Sequence, residues 1–476
     1  MAATSTGVSS ASLASVAAPS DEYNAAHDLW GKCRDVALGE EAVLAAGERY
    51  LPRLGGQDLA AYDGYRRRAG FYNATRRTID GLAGLIFRKT PVVSAPAPAG
   101  AWLADIDLAG TPFTRLAETV VAEVLTVTRV GLLVDMPRAS DEIVTRADAA
   151  QSNMRPFARA YRAEDILDLR LGQRGNATVI SQVRLRESVA VPASGDEFGR
   201  ASVDQIRVLD LDDDGYRQRL YRPGADGGWR LADEIRPLKR GQPLGRIPFF
   251  PIGARGLTPE IDRPLLLDLV NLNLSHYRTL ADLEHGAHFV ALPTPYVFGV
   301  DDDYAPTSVG PTELWHSPDK DVTVGLLEFT GQGLEGLERR REAKEAQMAA
   351  LGARMLAPEK RQAEAAETLA LRTAGEASIL AALANGVGQA LTSVLTTMLD
   401  WGGLSGEASV TLNRDFMPSP MTAQELTAWM AALQGGGVSR RTFFEALKQG
   451  ELVRDDLSFE EEAERLAGGN SPQTTI

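Results

Sequence analysis

Apolar side chains recur along the chain with a period that changes from segment to segment. From residue 21 to 90, Leu59, Tyr62, Tyr65, Phe71 and Tyr72 stand among charged residues at roughly helical spacing, which predicts helices. The run Thr78–Phe87 continues this pattern, and Pro91 with the Pro/Ala stretch Ala95–Gly100 ends it. A further helix is expected over Phe113–Leu125. From about Val130 to Gly253 short β-type runs take over: Gly131–Val134, Thr178–Val183, Gln205–Leu209, Tyr216–Tyr221 and Ile247–Ile252. Asp214-Gly215 and Asp226-Gly227-Gly228 punctuate them as turns, so this region is expected to be antiparallel sheet.

A long helix is expected from near Asp262, with Pro264 in its first turn. Leu265, Leu269, Leu272, His276, Leu280 and Leu283 form one stripe, and a helix reaching Phe289 would be roughly 40 Å long. Pro293 and Pro295 end it, and a strand-and-turn insert follows, from Tyr296 through Trp315 to Val322–Phe329. The next helix, about Leu334–Met355, is densely charged, with Glu335/Arg339 and Arg341/Glu345 spaced to pair along it. Pro358 interrupts it. Another long helix is expected over Thr368–Leu399, with Leu380, Leu383, Val387, Leu391, Val394 and Met398 on one stripe and a bend at Gly386 and Gly388. After Gly402-Gly403 come a short strand, Ser409–Leu412, and small helices, the first opened by the capping box Thr422-Ala423-Gln424-Glu425. Gly435–Gly437 separates that helix from the next, and the chain closes on an acidic stretch with Asp455, Asp456, Glu460, Glu461, Glu462 and Glu464.

Composition narrows the function classes. The chain has 476 residues, 44% hydrophobic and 24% charged, an ordinary globular balance with room for more than one folding unit. Its net charge of −14 argues against a broad basic surface that grips nucleic acid, yet suits a wall that lets DNA slide past. The single cysteine, Cys33, excludes an intrachain disulfide and fits assembly in a reducing cytosol. Residues 1–20, rich in Ala, Ser, Thr and Val, predict a disordered arm rather than a signal peptide. No apolar run in the sequence approaches the ~20 residues of a membrane helix, so no membrane is expected as a partner.

Motifs with apparent chemistry resolve into plainer readings. Asp210–Gly215 resembles the first half of a calcium loop, but Tyr221 stands where the bidentate acid belongs, so a hairpin turn is expected. His285 and His288 lie three apart beside Glu284, whereas helical zinc sites place His four apart, so the pair reads as polar residues near a helix end. Asn73-Ala74-Thr75 has the form of a glycosylation acceptor, with no secretory signal to give it meaning. There is no Walker loop, nucleophile elbow or dinucleotide fingerprint, and no catalytic, cofactor or metal residue is assigned.

A resemblance sharpens this picture. Tyr50–Arg53, Tyr62, Tyr65–Leu82, Gly84 and Ile86–Lys89 are similar to a family of tailed-bacteriophage portal proteins, and the likeness continues in Arg155–Tyr161, Pro248–Gly253, Leu265–Tyr277, Ala291–Pro295 and Leu327–Gly331 with the helix to Leu356. It covers most of residues 40–465. It implies an α+β, portal-type fold: a mixed wing domain with antiparallel strands, two long stem helices bracketing a small β clip, a long kinked wing helix and a helical crown. Along this chain those parts would be a disordered arm at 1–20, wing at 21–260, stem helix at 261–290, clip at 291–331, second stem helix at 332–356, tunnel loop at 357–367, wing helix at 368–403, and crown with C-terminal tail at 404–476.

The resemblance further implies a ring, usually dodecameric, at one capsid vertex, assembled in the host cytoplasm and carried in the virion. That ring would be the channel for packaging and ejecting double-stranded DNA. Its partners would be the major capsid protein, the terminase large subunit and a head–tail connector. Pro358, Lys360, Arg361 and Gln362 would belong to the tunnel loop. Arg339, Arg340, Arg341, Glu342 and Glu345 would lie on the stem at subunit interfaces. The competing reading is a soluble α/β enzyme whose active site the sequence does not reveal.

Overall fold

The computed structural model describes residues 15–137, 153–192, 198–291, 294–299, 321–327, 331–355, 378–416, 421–450, 452–454 and 457–469. The expected tunnel loop, with Pro358, Lys360, Arg361 and Gln362, lies outside the described residues.

The first helices are α1 (Asp21–Leu38), α2 (Glu40–Ala45), α3 (Leu59–Arg68) and α4 (Ala74–Ile86). Strand β1 (Val92–Ser94), helices α5 (Gly100–Ala104) and α6 (Phe113–Val127) and strands β2 (Val130–Asp135) and β3 (Phe157–Arg162) follow. Next come β4 (Ile166–Arg174), β5 (Ala177–Pro192), β6 (Arg200–Asp212), β7 (Gly215–Pro223) and β8 (Trp229–Ile235). The short strands β9 (Leu238–Lys239) and β10 (Gln242–Pro243) precede β11 (Phe249–Gly253) and β12 (Gly256–Leu257). Helix α7 (Leu267–Ala291), strands β13 (Thr294–Phe298) and β14 (Thr323–Leu327) and helix α8 (Gln332–Arg354) come next. Last are α9 (Ile379–Gly402), β15 (Ser409–Thr411), α10 (Ala423–Gln434), α11 (Arg440–Gln449) and α12 (Phe459–Gly469).

Two compact units divide these elements. One comprises residues 1–30, 79–265 and 354–476, the other residues 31–78 and 266–353.

The larger unit is built on α9 and a four-stranded antiparallel sheet ordered β12-β11-β2-β3. Among the described residues α9 is the one helix long and apolar enough to cross a membrane, although no apolar run of that kind was expected from the sequence. Its Leu380, Leu383, Val387, Leu391, Val394 and Met398 are nevertheless buried, and it packs along β11, β12 and β2 as a core helix. Ser378 caps its start by accepting from Ala381 N, and Gly403, at φ 71°, closes its end. The helix runs unbroken through Gly386 and Gly388, so the bend expected there does not interrupt it. Close approach explains both glycines. A Cβ on Gly386 would lie 2.5 Å from Gly256 N, and one on Gly388 would lie 3.0 Å from Val410 O. The β11–β12 turn and β15 can therefore rest directly on the helix.

Helix α6 buries Phe113, Leu116, Ala117, Val120, Val121 and Val124 on one face. It stops at Thr128, which adopts φ 61° while its Oγ1 accepts from Leu265 N at 2.9 Å.

A five-stranded antiparallel meander, β4-β5-β6-β7-β8, completes the larger unit. The expected hairpin turn joins β6 to β7, with Asp212 opposite Gly215, which sits at φ 107°. Asp210 accepts from Arg219 at 2.7 Å and Asp212 from Arg236 at 2.8 Å, so arginines occupy both carboxylates. β5 and β6 outrun their neighbours. β4 pairs with β5 only as far as Leu185, and β7 pairs with β6 from Ile206, while β5 and β6 remain paired out to Pro192 and Arg200. This leaves a two-stranded arm. Of the arm expected at residues 1–20, the described part is tied down: Arg184 donates to Ser15 O at 2.8 Å and Val16 O at 3.2 Å, and Ser20 N donates to Leu167 O.

In the smaller unit α7 begins at Leu267, three residues after Pro264, which therefore precedes the helix instead of starting it. Its buried face is Leu267, Leu269, Val270, Asn273, Leu274, His276, Tyr277 and Ala281. That face is rotated from the expected stripe, because Leu272, Leu280 and Leu283 are only half-buried. Asn273 explains the rotation. Its Oδ1 accepts from Thr75 N and Thr75 Oγ1, both at 3.0 Å, and its Nδ2 donates to Tyr72 O at 2.8 Å. A fully buried amide is thereby satisfied, and the start of α4 is clamped to α7.

Candidate functional site

Helices α7 and α8 form an antiparallel pair whose register carries into a two-stranded ribbon. In the ribbon, Tyr296 faces Gly325 and Thr294 faces Leu327. Further out, a Cβ on Gly331 would lie 3.7 Å from Val290, and one on Gly286 would lie 2.8 Å from Leu334. Further still, His276 meets Glu345. Each step back along one arm is thus matched by a step forward along the other.

Polar contacts lock the helices. His276 Nε2 and Glu345 Oε1 are 3.1 Å apart. Lys344 Nζ donates to Ser275 O at 2.8 Å and Thr279 Oγ1 at 2.5 Å. Burial, followed by the nearby Arg340 and Arg278, lowers the Lys344 pKa. On the other side of α7, Tyr65 donates to Asp282 Oδ1 at 2.6 Å, and Arg68 Nη2 stands 3.3 Å from His285 Nδ1. His285 also packs edge-on against Tyr65 and Phe289. Its pKa is lowered by burial and then by Arg68 and His288, which agrees with a neutral ring accepting from the guanidinium.

The expected interface residues all lie on α8. Arg339, Arg340 and Glu342 are exposed. Arg339 Nε donates to Glu335 O at 3.4 Å, a main-chain contact where a carboxylate pair was expected. Arg341 does reach Glu345, at 3.8 Å, and also Glu342, at 3.6 Å. Along α8 itself Met348 is deeply buried, while Glu335, Glu338, Ala346, Gln347 and Ala350 are exposed. The ribbon is apolar and open: Phe298 is 65% exposed, Leu326 57% and Val324 54%. Tyr296 folds over Gly325 and against Phe298, with the ring centroids 5.2 Å apart.

Sequence reasoning missed a second polar centre, in the larger unit. Glu187, fully buried on β5, accepts from Tyr161 at 2.5 Å and from Arg207 Nε at 2.9 Å, and also from Gln205. Burial pushes its pKa up, but Arg207, Tyr161 and Gln205 outweigh that and hold it below the usual carboxylate range. Asp135, 3.6 Å from Arg207, behaves oppositely, because burial there exceeds the pull of the arginine and its pKa is raised. Beside these groups lies a pocket of about 860 Å³, lined by Phe157, Leu220, Pro237, Leu238, Trp401 and Arg222 among others. Only the alternation of β5 hinted at Glu187, since its partners lie far along the chain. Among the described residues no group of three or more His, Cys, Asp or Glu side chains is placed to hold a metal ion.

A family model described as a domain of unknown function, DUF4055, matches residues 264–402, which span α7, the ribbon, α8 and α9. No curated protein matches the chain. One similar solved structure is the neck of an empty gene transfer agent particle computed with C6 symmetry, at 13% identity and TM-score 0.40, covering 84% of this chain and 95% of that one. Another is the neck of a native gene transfer agent particle computed with C12 symmetry, at 12% identity and TM-score 0.40, covering 86% and 99%. A third is the virion of a native gene transfer agent particle, at 12% identity and TM-score 0.39, covering 86% and 98%.

Proposed function

We propose that the chain is a portal subunit: copies close into a ring, and the ring is a conduit for double-stranded DNA. The observation that carries the reading is the antiparallel pair α7/α8 with its ribbon in shared register. A long helix pair ending in a small β ribbon makes little sense in a compact enzyme, whose loops would be short. It makes sense as a wall segment, one helix pair per subunit, with the ribbon at one end. The resemblance over residues 40–465 points the same way.

In this reading the side of α8 that carries the exposed Arg339, Arg340 and Glu342, with the half-buried Arg341 and Glu345 beside them, faces neighbouring copies. Its mixed charges suit a heterologous ring contact, in which one surface meets a different surface of the next copy. Pro358, Lys360, Arg361 and Gln362 would form the loop that narrows the channel. The ribbon would meet the terminase large subunit during packaging and a head–tail connector afterwards, while the major capsid protein would hold the ring's rim. The net charge of −14 favours low friction on DNA, because the excess of carboxylates over Lys and Arg repels its phosphates.

Mass measurement and low-resolution imaging of the purified chain test the proposal. A ring of twelve 51.2 kDa copies has a mass of about 610 kDa and a central hole. A monomer or dimer at every concentration, with no ring in the presence of capsid protein, would refute it. Tight binding of duplex DNA at physiological salt would refute the low-friction channel.

A further inference from the structure

Arg129, between α6 and β2, is a buried charge that nothing holds. The residue is 4% exposed, and its Nε and Nη1 have no hydrogen-bond partner. Burial pulls its pKa down to about 10, so the guanidinium stays charged at neutral pH. A cation sealed from water without a partner is costly, and buried charges are ordinarily paired. An interaction is prepared at this point and not made.

The missing partner stands close by. β2 and β11 pair Val130 with Ile252, so the next step of the ladder sets Arg129 opposite Gly253. Residues opposite one another in an antiparallel pair share a face of the sheet. A Cβ on Gly253 would lie 3.1 Å from Asp262 Oδ2, so this carboxylate lies over the glycine, on the face to which the ladder directs Arg129. Among the described residues Asp262 is the one charged side chain whose field reaches Arg129. Asp262 is exposed and makes no hydrogen bond or ion pair of its own. Any side chain at 253 would fill the space that the glycine leaves between them. All three residues belong to the larger unit. Residues 258–265 form a strap that carries Asp262, and the neighbouring Thr128 already ties its far end by accepting from Leu265 N at 2.9 Å.

We propose that Arg129 and Asp262 are the two halves of a latch, open in the free chain and closed when copies of the chain associate. Water holds it open, because a solvated carboxylate gains little from an ion pair. Covering the strap removes that water, and Asp262 then closes on Arg129, one residue along from the tie at Thr128. The turn before the strap offers apolar surface for such a cover, since Leu257 is 48% exposed. The α7/α8 wall plays no part in the latch. The inference therefore goes beyond the portal reading and needs only that copies associate.

The test is a double-mutant cycle on Arg129→Met and Asp262→Asn in the full-length chain, run once on unfolding of the dissociated chain and once on self-association. In the dissociated chain the coupling is expected to stay within about twofold, while Arg129→Met alone favours folding by about tenfold, because an apolar side chain replaces an unpaired charge. In self-association each single variant is expected to weaken binding by about tenfold and the double variant no more than either. Coupling of that size already present in the dissociated chain, or none on association, overturns the latch. A further arm adds sulfate. Stabilisation by sulfate of the wild type and of Asp262→Asn, but not of Arg129→Met, would make Arg129 an anion receptor and overturn the latch as well. Rings of full mass without coupling overturn the latch and leave the portal reading standing. Coupling in particles of only two or three copies does the reverse. Monomers at all concentrations overturn both.

Discussion

His276 and Glu345 bridge α7 and α8 at 3.1 Å, and the two ends of that bridge differ sharply in solvent access, with the imidazole 1% exposed and the carboxylate 40%. The difference decides the strength of the contact. A partner left this open to water holds an ion pair or charged hydrogen bond to at most about 1 kcal/mol. The packing of the imidazole, set against Tyr72 with the ring centroids 5.9 Å apart, should matter more.

A double-mutant cycle on His276→Ala and Glu345→Ala is therefore expected to show coupling under about 1 kcal/mol in the dissociated chain, with His276→Ala alone costing more than Glu345→Ala. In the assembled particle the coupling should rise, because a neighbouring copy against α8 would exclude water from Glu345. Strong coupling in the isolated chain, or no rise on assembly, would show that water access does not set the strength of this bridge.

Asn273 holds its unit together in a different way. Its amide answers Thr75 N, Thr75 Oγ1 and Tyr72 O, all inside the fold. Asn273→Ala would strand these groups away from water at ~1–3 kcal/mol each, partly relieved by rearrangement. The expected loss is about 3 kcal/mol, read as a lower denaturation midpoint of the unit at unchanged slope. A loss below about 1 kcal/mol would mean that water reaches Thr75 and that the clamp is not structural.

His285 makes the fold sensitive to mild acid. Its folded pKa lies below the ordinary imidazole value, through burial and the nearby Arg68 and His288, against the weaker opposing pull of Asp282. As pH falls past that ordinary value of about 6.5, the unfolded chain takes up the proton first. The contribution of this group is therefore fully present above the ordinary imidazole range and declines as pH falls through it. Unfolding measured across this range should show stability rising with pH, and His285→Gln should flatten the slope. An unchanged slope would place the pH dependence elsewhere.

Much of this architecture is written locally. Thr422 and Glu425 form the reciprocal capping box that their spacing requires, and Asp212-Asp213-Asp214-Gly215 turns the hairpin that a glycine at positive φ permits. What was not legible depends on distant partners. β8 is a strand because β7 pairs with it. Its own residues, Trp229–Ile235, are mostly exposed and show no apolar alternation. Gly386 reads equally well as a bend or as a place of close approach, since both require a missing Cβ, and only Gly256 lying against it decides. Glu187 looks like any strand glutamate until Tyr161, Gln205 and Arg207 converge on it. On the candidate site, the charged face of α8 was visible in the sequence, whereas Lys344 and Glu345 as links to α7 were not, because their partners lie on another helix.

The ribbon supplies the sharpest test of the portal reading apart from particle mass. Phe298, Leu326 and Val324 are each more than half exposed, on strands held by a single two-stranded ladder. Apolar side chains so displayed are normally covered in the working assembly. If the helix pair closes the ring, the ribbon is not needed for closure and is free for other partners. Replacing Phe298 and Leu326 together by Ser is then expected to leave the mass of the particle unchanged and to weaken binding of the terminase large subunit or the connector by about tenfold or more, equivalent to at least ~1.4 kcal/mol. Deleting 296–326 should have the same effect in stronger form, abolishing packaging while rings persist. Particles that fall apart on either change would move the ribbon from partner binding to ring closure, and normal packaging by the deletion would remove it from both roles.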